Sequence, residues 1–206
     1  MSFLKELKNQ GSQAGVTLPE LMVALVISMV TLAAIYTIHV MEVKNQLVQE
    51  DVVAMQQNVR AAMDLISREL RMGGYDPRGV NRDAISSNDF VGVAYHPTQL
   101  HIQSDWNGNG TPTDPNESIV YMYDPKTLTL RRRTGGGGRQ PVAEHIESFT
   151  FQYLDGQGQP TMSSASIRAI EIGITARTEH PDLRYPRNNG YRTFTLNTRV
   201  TPRNLS

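Results

Sequence analysis

Residues 14–25 read AGVTLPELMVAL, and the run they open continues without a charge from Leu21 to Ile38 as LMVALVISMVTLAAIYTI. With its flanks it reaches about 20 residues, the length a helix needs to cross a ~30 Å hydrocarbon core. A secretory signal core is shorter, about 7–15 residues, and ends at small-residue cleavage positions. The core helix of a globular domain keeps a polar face, whereas this run is apolar all round. The reading is a membrane-spanning helix. Ahead of it, MSFLKELKNQGSQAG carries Lys5 and Lys8 against one acid, Glu6. Positive charge before a first hydrophobic helix holds that end in the cytoplasm, so the remainder of the chain is expected on the far side.

Glu20 stands directly before the uncharged stretch. A carboxylate at the edge of a membrane is costly unless it is paired. One reading leaves Glu20 among lipid headgroups. The other follows if the chain is cut after Gly15. Val16 then supplies a new amino group, which meets Glu20 of the same or a neighbouring subunit at low dielectric. Pro19 is consistent with such a cut. Proline is tolerated in a first helical turn, where its missing N–H would lack a partner anyway, so the helix must begin near Val16.

GVTLPELMVAL resembles the type IV prepilin signature: a polar basic leader, a glycine, a glutamate at fixed spacing and a long apolar helix. The resemblance implies that prepilin peptidase cuts between Gly15 and Val16, that Val16 becomes N-methylated, and that Glu20 is the fifth mature residue, used in assembly.

Beyond Met41 the pattern changes. Val48, Val52, Met55, Val59, Met63, Ile66 and Leu70 recur at intervals of three and four, with Gln, Asn, Asp, Glu and Arg on the other side. That is a one-sided amphipathic helix. No glycine or proline lies between Glu20 and Met72, so it is expected to continue the apolar helix until Gly73 and Gly74 stop it. The stretch ISRELRMGGYDP, Ile66 to Pro77, resembles PilW-like minor pilins and the J-type pseudopilins of type II secretion.

After Pro77 the period becomes two. Short strands are expected at Phe90 to Tyr95 and Gln99 to Gln103. Ile119, Tyr121 and Tyr123 alternate and turn through Asp124-Pro125-Lys126-Thr127 into Leu128 and Leu130. Ile146, Phe149, Phe151 and Tyr153 form a strand with an irregularity after Ile146. Ile170, Ile172 and Ile174 alternate, as do Phe194, Leu196 and Thr198; His180 to Gly190 is a surface loop. The fold class is α+β, a long amino-terminal helix packed on an antiparallel β-sheet domain, the pilin fold by resemblance. The expected divisions are a leader at 1–15, a transmembrane and assembly helix at 16–43, its amphipathic continuation at 44–74 and a β-rich exported head at 75–206.

Asp105 to Gly110 reads DWNGNG, with oxygen-bearing side chains at positions one, three and five and glycine at six. This is the first half of the calcium-loop pattern. Calcium takes six to eight oxygens, and alternate side chains in a tight loop converge. Asp105, Asn107, Asn109, the Thr111 carbonyl, Asp114 and Glu117 are the candidate ligands of a structural calcium ion. The alternative is a polar turn rich in asparagine and glycine. The twelfth loop position is Asn116, so Glu117 falls one residue late.

The remaining chemistry is sparse. The formal net charge is +0 and there is no cysteine, which excludes disulfides, thiolate nucleophiles and cysteine zinc sites. Arg131-Arg132-Arg133 and Gly135 to Gly138 lack the strand-to-helix context and lysine of a phosphate loop, and read as a loop with a solvated basic edge. No catalytic constellation is found. The chain is therefore read as a non-enzyme with no clear nucleic-acid or small-molecule ligand. By resemblance it is a minor pilin, anchored by one helix in the bacterial inner membrane with its head in the periplasm, then drawn into a fibre. Its partners would be prepilin peptidase and other pilins or pseudopilins. A type II pseudopilin of the J type, or an anchored adhesin or binding module using the same export signal, are the alternatives.

Overall fold

In the computed structural model the described residues are 15–82 and 89–205, so Lys5, Glu6 and Lys8 of the leader lie outside them. The unbroken stretch after Pro19 forms one helix, α1, spanning Leu18–Met72, with the proline inside its first turn. It ends where the sequence requires. Gly74 takes φ 78°, a left-handed conformation that suits glycine. The Arg71 carbonyl, otherwise unpaired at a helix end, accepts the Arg203 N–H at 3.2 Å.

The chain divides into two compact units between Leu47 and Val48. In the first, every residue of α1 from Leu18 to Ile38 is exposed, and the helix is long and apolar enough to cross a membrane. Its serine and threonine hydroxyls are turned inward on the backbone. Ser28, Thr31 and Thr37 donate to the carbonyls of Ala24, Ile27 and Ala33 at 2.7, 2.8 and 2.9 Å. That satisfies them without water, as hydrocarbon demands.

In the second unit, the helical stripe is buried. Met55, Val59, Ala62, Met63, Ile66 and Leu70 join the core. Each full-sized apolar side chain buried this way contributes about 1.5–3 kcal/mol over its exposed state. Two antiparallel sheets pack on the stripe where one was expected. The first has order β1 (Val93–Ala94), β2 (Gln99–Gln103), β3 (Ser118–Asp124), β4 (Thr129–Thr134), β5 (Gln140–Ala143). The second has order β6 (Ile146–Leu154), β7 (Ala169–Arg177), β8 (Thr193–Val200). Both supply core residues, Leu100, Ile119 and Leu130 from one, Ile146, Ile170 and Ile174 from the other. The α+β class and the helix-on-antiparallel-sheet layout are those read from the sequence.

Local readings fared unevenly. The irregularity after Ile146 is a register shift between Ile146 and Ser148. The strand expected over Phe90 to Tyr95 shrinks to two residues. There the chain runs against the end of α1: a Cβ at Gly92 would stand 2.3 Å from the Gly74 nitrogen, and Gly74 takes the Gln103 carbonyl at 2.8 Å. Leu128 belongs to the turn, at φ 51°, and its strand begins at Thr129. The arginine triplet is not a loop but the centre of β4. Arg132 reaches α1, with Nη2 2.7 Å and Nε 3.1 Å from the two oxygens of Glu69, and the hydroxyl of fully buried Tyr121 donates to the same carboxylate. Burial, then the Glu69 charge, raises the Tyr121 pKa well above its ordinary value. This fork-on-carboxylate geometry is the strong form of an ion pair, and it fixes α1 on β3 and β4.

Candidate functional site

The stretch from Gly15 to Thr17 is non-helical and exposed, and a Cβ placed on Gly15 would meet nothing within 4 Å. The Gly15–Val16 peptide bond is thus open on the surface just ahead of α1. Three residues later the chain organises itself. The Thr17 N–H donates to Glu20 Oε2 at 3.0 Å and the Thr17 hydroxyl donates to the same oxygen at 2.9 Å. The Leu21 N–H closes the first helical bond on the Thr17 carbonyl at 3.1 Å. Thr17 is therefore the residue at which the helix begins, and Glu20, in its first turn, reaches back to satisfy an N–H that has no partner within the helix.

This gives Glu20 a second task beside the one expected of it. The carboxylate sits where the helix dipole favours negative charge, and it is held on the side of α1 nearest Val16 by a residue that reading the sequence overlooked. The signal was present: T-x-x-E before an apolar run is a capping pattern.

The six residues of the Asp105–Glu117 loop come together. Asp105, fully buried, accepts the Asn109 and Gly110 N–H groups at 3.1 and 2.9 Å. Glu117, 1% exposed, accepts those of Trp106, Asn107 and Asp114 at 2.8, 3.0 and 3.3 Å. The Asn107 and Asn109 amides both donate to Asp114, and the N–H and hydroxyl of Thr111 donate to Asn109 Oδ1. Three carboxylates are thus tied into one hydrogen-bond network, two of them buried, and none forms an ion pair among the described residues. Among those residues no group of three or more His, Asp or Glu side chains is arranged to hold a metal by itself. Asparagine and backbone oxygens would have to supply part of any cation's shell.

Comparison with known proteins bears on the amino terminus. Residues 11–36 match the model of the prokaryotic N-terminal methylation motif. No curated protein matches the chain. Among solved structures it is similar to a type IV-like pilin from Thermus thermophilus, at 16% identity over 73% of this chain and 98% of that one, with a TM-score of 0.46.

Proposed function

We propose that this chain, type IV prepilin-like at its amino terminus, is a minor subunit of a pilus fibre. Prepilin peptidase cuts it between Gly15 and Val16 and Val16 is N-methylated. α1 anchors it in the inner membrane with the head in the periplasm until assembly draws it into the fibre. Glu20 then offsets the amino terminus of a subunit. The role is mechanical, and no reaction is assigned to the chain itself.

The observation that carries this reading is the coincidence of two features. The motif covers residues 11–36, and the helical part of that segment has no burial in the folded chain. Such an apolar surface needs lipid or the helices of other subunits. The open Gly15–Val16 bond and the Glu20 carboxylate held beside it support the same reading. The Glu20→Ala protein should be processed like wild type yet be missing from sheared fibres; its normal incorporation overturns the assembly role. A J-type pseudopilin of type II secretion shares every one of these features. Detection of the chain in pili rather than in a secretion pseudopilus separates the two. An anchored adhesin would leave fibres intact when deleted.

For the Asp105–Glu117 loop we propose a structural calcium ion that supplements the hydrogen bonds. The supporting observation is a loop in which three carboxylates share one hydrogen-bond network with no cationic side chain on them. A carboxylate oxygen that accepts one N–H retains further acceptor capacity for a metal. Millimolar calcium should raise the melting temperature of the detergent-solubilised chain, and Asp114→Asn should remove the rise. No heat of binding and no shift would end the proposal.

A further inference from the structure

The four sheet edges of the head are not alike. β1 has two residues. β5 has four, one of them Pro141, which has no N–H to offer. β6 has a register shift at its start, after Ile146, and both its ends are tied: the Ile146 and Glu147 carbonyls receive the Tyr123 hydroxyl at 2.8 and 2.9 Å, and the Tyr153 and Leu154 carbonyls accept the Thr161 and Arg168 N–H groups at 3.0 and 2.8 Å. β8 carries eight residues, TFTLNTRV, in unbroken register with β7. It has no proline, lysine or bulge. Among the described residues no group outside β7 bonds the backbone from Phe194 to Arg199. An edge strand presents alternate N–H and C=O groups outward, and proteins ordinarily blunt such edges with short strands, prolines or bulges. β8 is the longest of the four edges to run free of proline, bulge and outside backbone bonds.

Beside that edge lies a groove of about 480 Å³ between β8 and the last turns of α1. Met63 and Leu196 give it apolar lining, Arg68 and Arg71 add two cations, and Asp64 is the single acid. Arg68 and Arg71 are exposed, and neither forms an ion pair among the described residues. They are three apart on the helix, which sets their Cβ atoms about 5–6 Å apart. Same-face residues on an extended strand are about 6.8 Å apart, close enough for two carboxylates at alternate positions to meet both arginines.

The geometry points to β8 and this groove as a strand-addition site for an extended acidic segment of another protein. Main-chain hydrogen bonds to the edge supply affinity, and the arginines with the Met63–Leu196 lining select the side chains. A second copy of this chain is a poor occupant. Pairing β8 with another β8 would bring the two sets of arginines toward each other, and like charges facing across an interface are unfavourable. The inference holds for a pilus, a pseudopilus or any other placement of the head.

The test uses the detergent-solubilised full chain and a labelled ten-residue probe alternating threonine and glutamate around one central leucine. Its twin has lysine in place of each glutamate. Fluorescence anisotropy should show the acidic probe binding about tenfold more tightly than the twin, the scale of two rim ion pairs. The Arg68→Glu, Arg71→Glu double variant, with both changes at exposed positions, should invert that order while the head still unfolds in one cooperative transition, lowered a little because anions oppose the helix dipole at this end. A central proline in the acidic probe should abolish binding, since it removes a ladder donor. Equal binding of the two probes, retention of the acidic probe by the double variant, or self-association through β8 in place of probe binding overturns the inference.

Discussion

The two halves of α1 share a backbone and differ in everything that surrounds it. From Leu18 to Ile38 every residue is exposed, whereas beyond Val48 an apolar stripe is sealed into the core. The surroundings of each half follow from how much of its circumference is apolar. A stripe of one residue in three or four is enough to hold a β-sheet domain, because only one face needs cover. An all-round apolar surface cannot be covered by one domain, and it needs a solvent of lipid or a ring of other helices.

The sharpest way to break that comparison is to truncate both halves. Leu70→Ala or Ile66→Ala, each at a fully buried position, should cost the head about 2–5 kcal/mol in thermal unfolding. Leu32→Ala, at an exposed position, should leave that transition where it was. A comparable loss from Leu32→Ala would mean that the apolar half stabilises the head directly.

Next in size is the link between helix and sheets. Glu69→Ala strips Arg132 and the Tyr121 hydroxyl of their shared acceptor and should cost about 1–3 kcal/mol, read from denaturant midpoints. Tyr121→Phe keeps the Glu69–Arg132 pair and should cost less. Equal losses would place the value of the network in the tyrosine alone.

Alkaline titration sharpens the same contrast, since the buried tyrosines belong to the head. Burial pushes the Tyr153 pKa up to about 12, above an ordinary tyrosine near 10. The folded chain then keeps a proton that the unfolded chain releases. Stability should therefore fall as the pH rises from about 10 toward 12, and Tyr153→Phe should reduce that slope, the remainder belonging to Tyr121, whose pKa burial also raises. An unchanged slope would assign it elsewhere. In acid the sign is opposite for Asp182. Its hydrogen bond from Arg192 holds its carboxyl below the usual range. Its contribution is present above the unfolded carboxylate pKa and lost as the pH falls through the lower folded one.

The smallest effect is expected at the exposed pair between His180 and Asp51, 3.2 Å apart with the histidine 71% exposed. His180→Ala should change stability by less than about 1 kcal/mol. A larger loss would give the 180–191 loop a structural role that its exposure does not suggest.

What was legible in the sequence was what depends on neighbours in the chain. The uninterrupted helix, its stop at Gly74, the Ile170–Ile174 alternation and the kink after Ile146 all follow from local period and glycine chemistry. What was not legible depends on distant pairing. Nothing near Arg132 names Glu69 as its partner, so three arginines in a row read as a solvated loop. The alternation around them was masked because side chains pointing to opposite faces were all charged. The division into two sheets is set by which strands meet, and no local pattern records it. β5 escaped notice because QPVA is short and carries a proline. Thr17 is the exception: its pairing with Glu20 spans three residues and was readable. At the candidate loop, spacing pointed to side-chain oxygens facing a cation, whereas the structure shows backbone N–H groups on the oxygens of Asp105 and Glu117, a pairing that spacing does not record.

Assembly as proposed requires an amine created at Val16 for Glu20 to match. Intact mass of the mature protein, extracted from membranes or sheared fibres, reads out that amine. The expected mass is that of a chain that begins at Val16 and carries one added methyl group. Mature protein that still holds Met1 through Gly15 would contradict it.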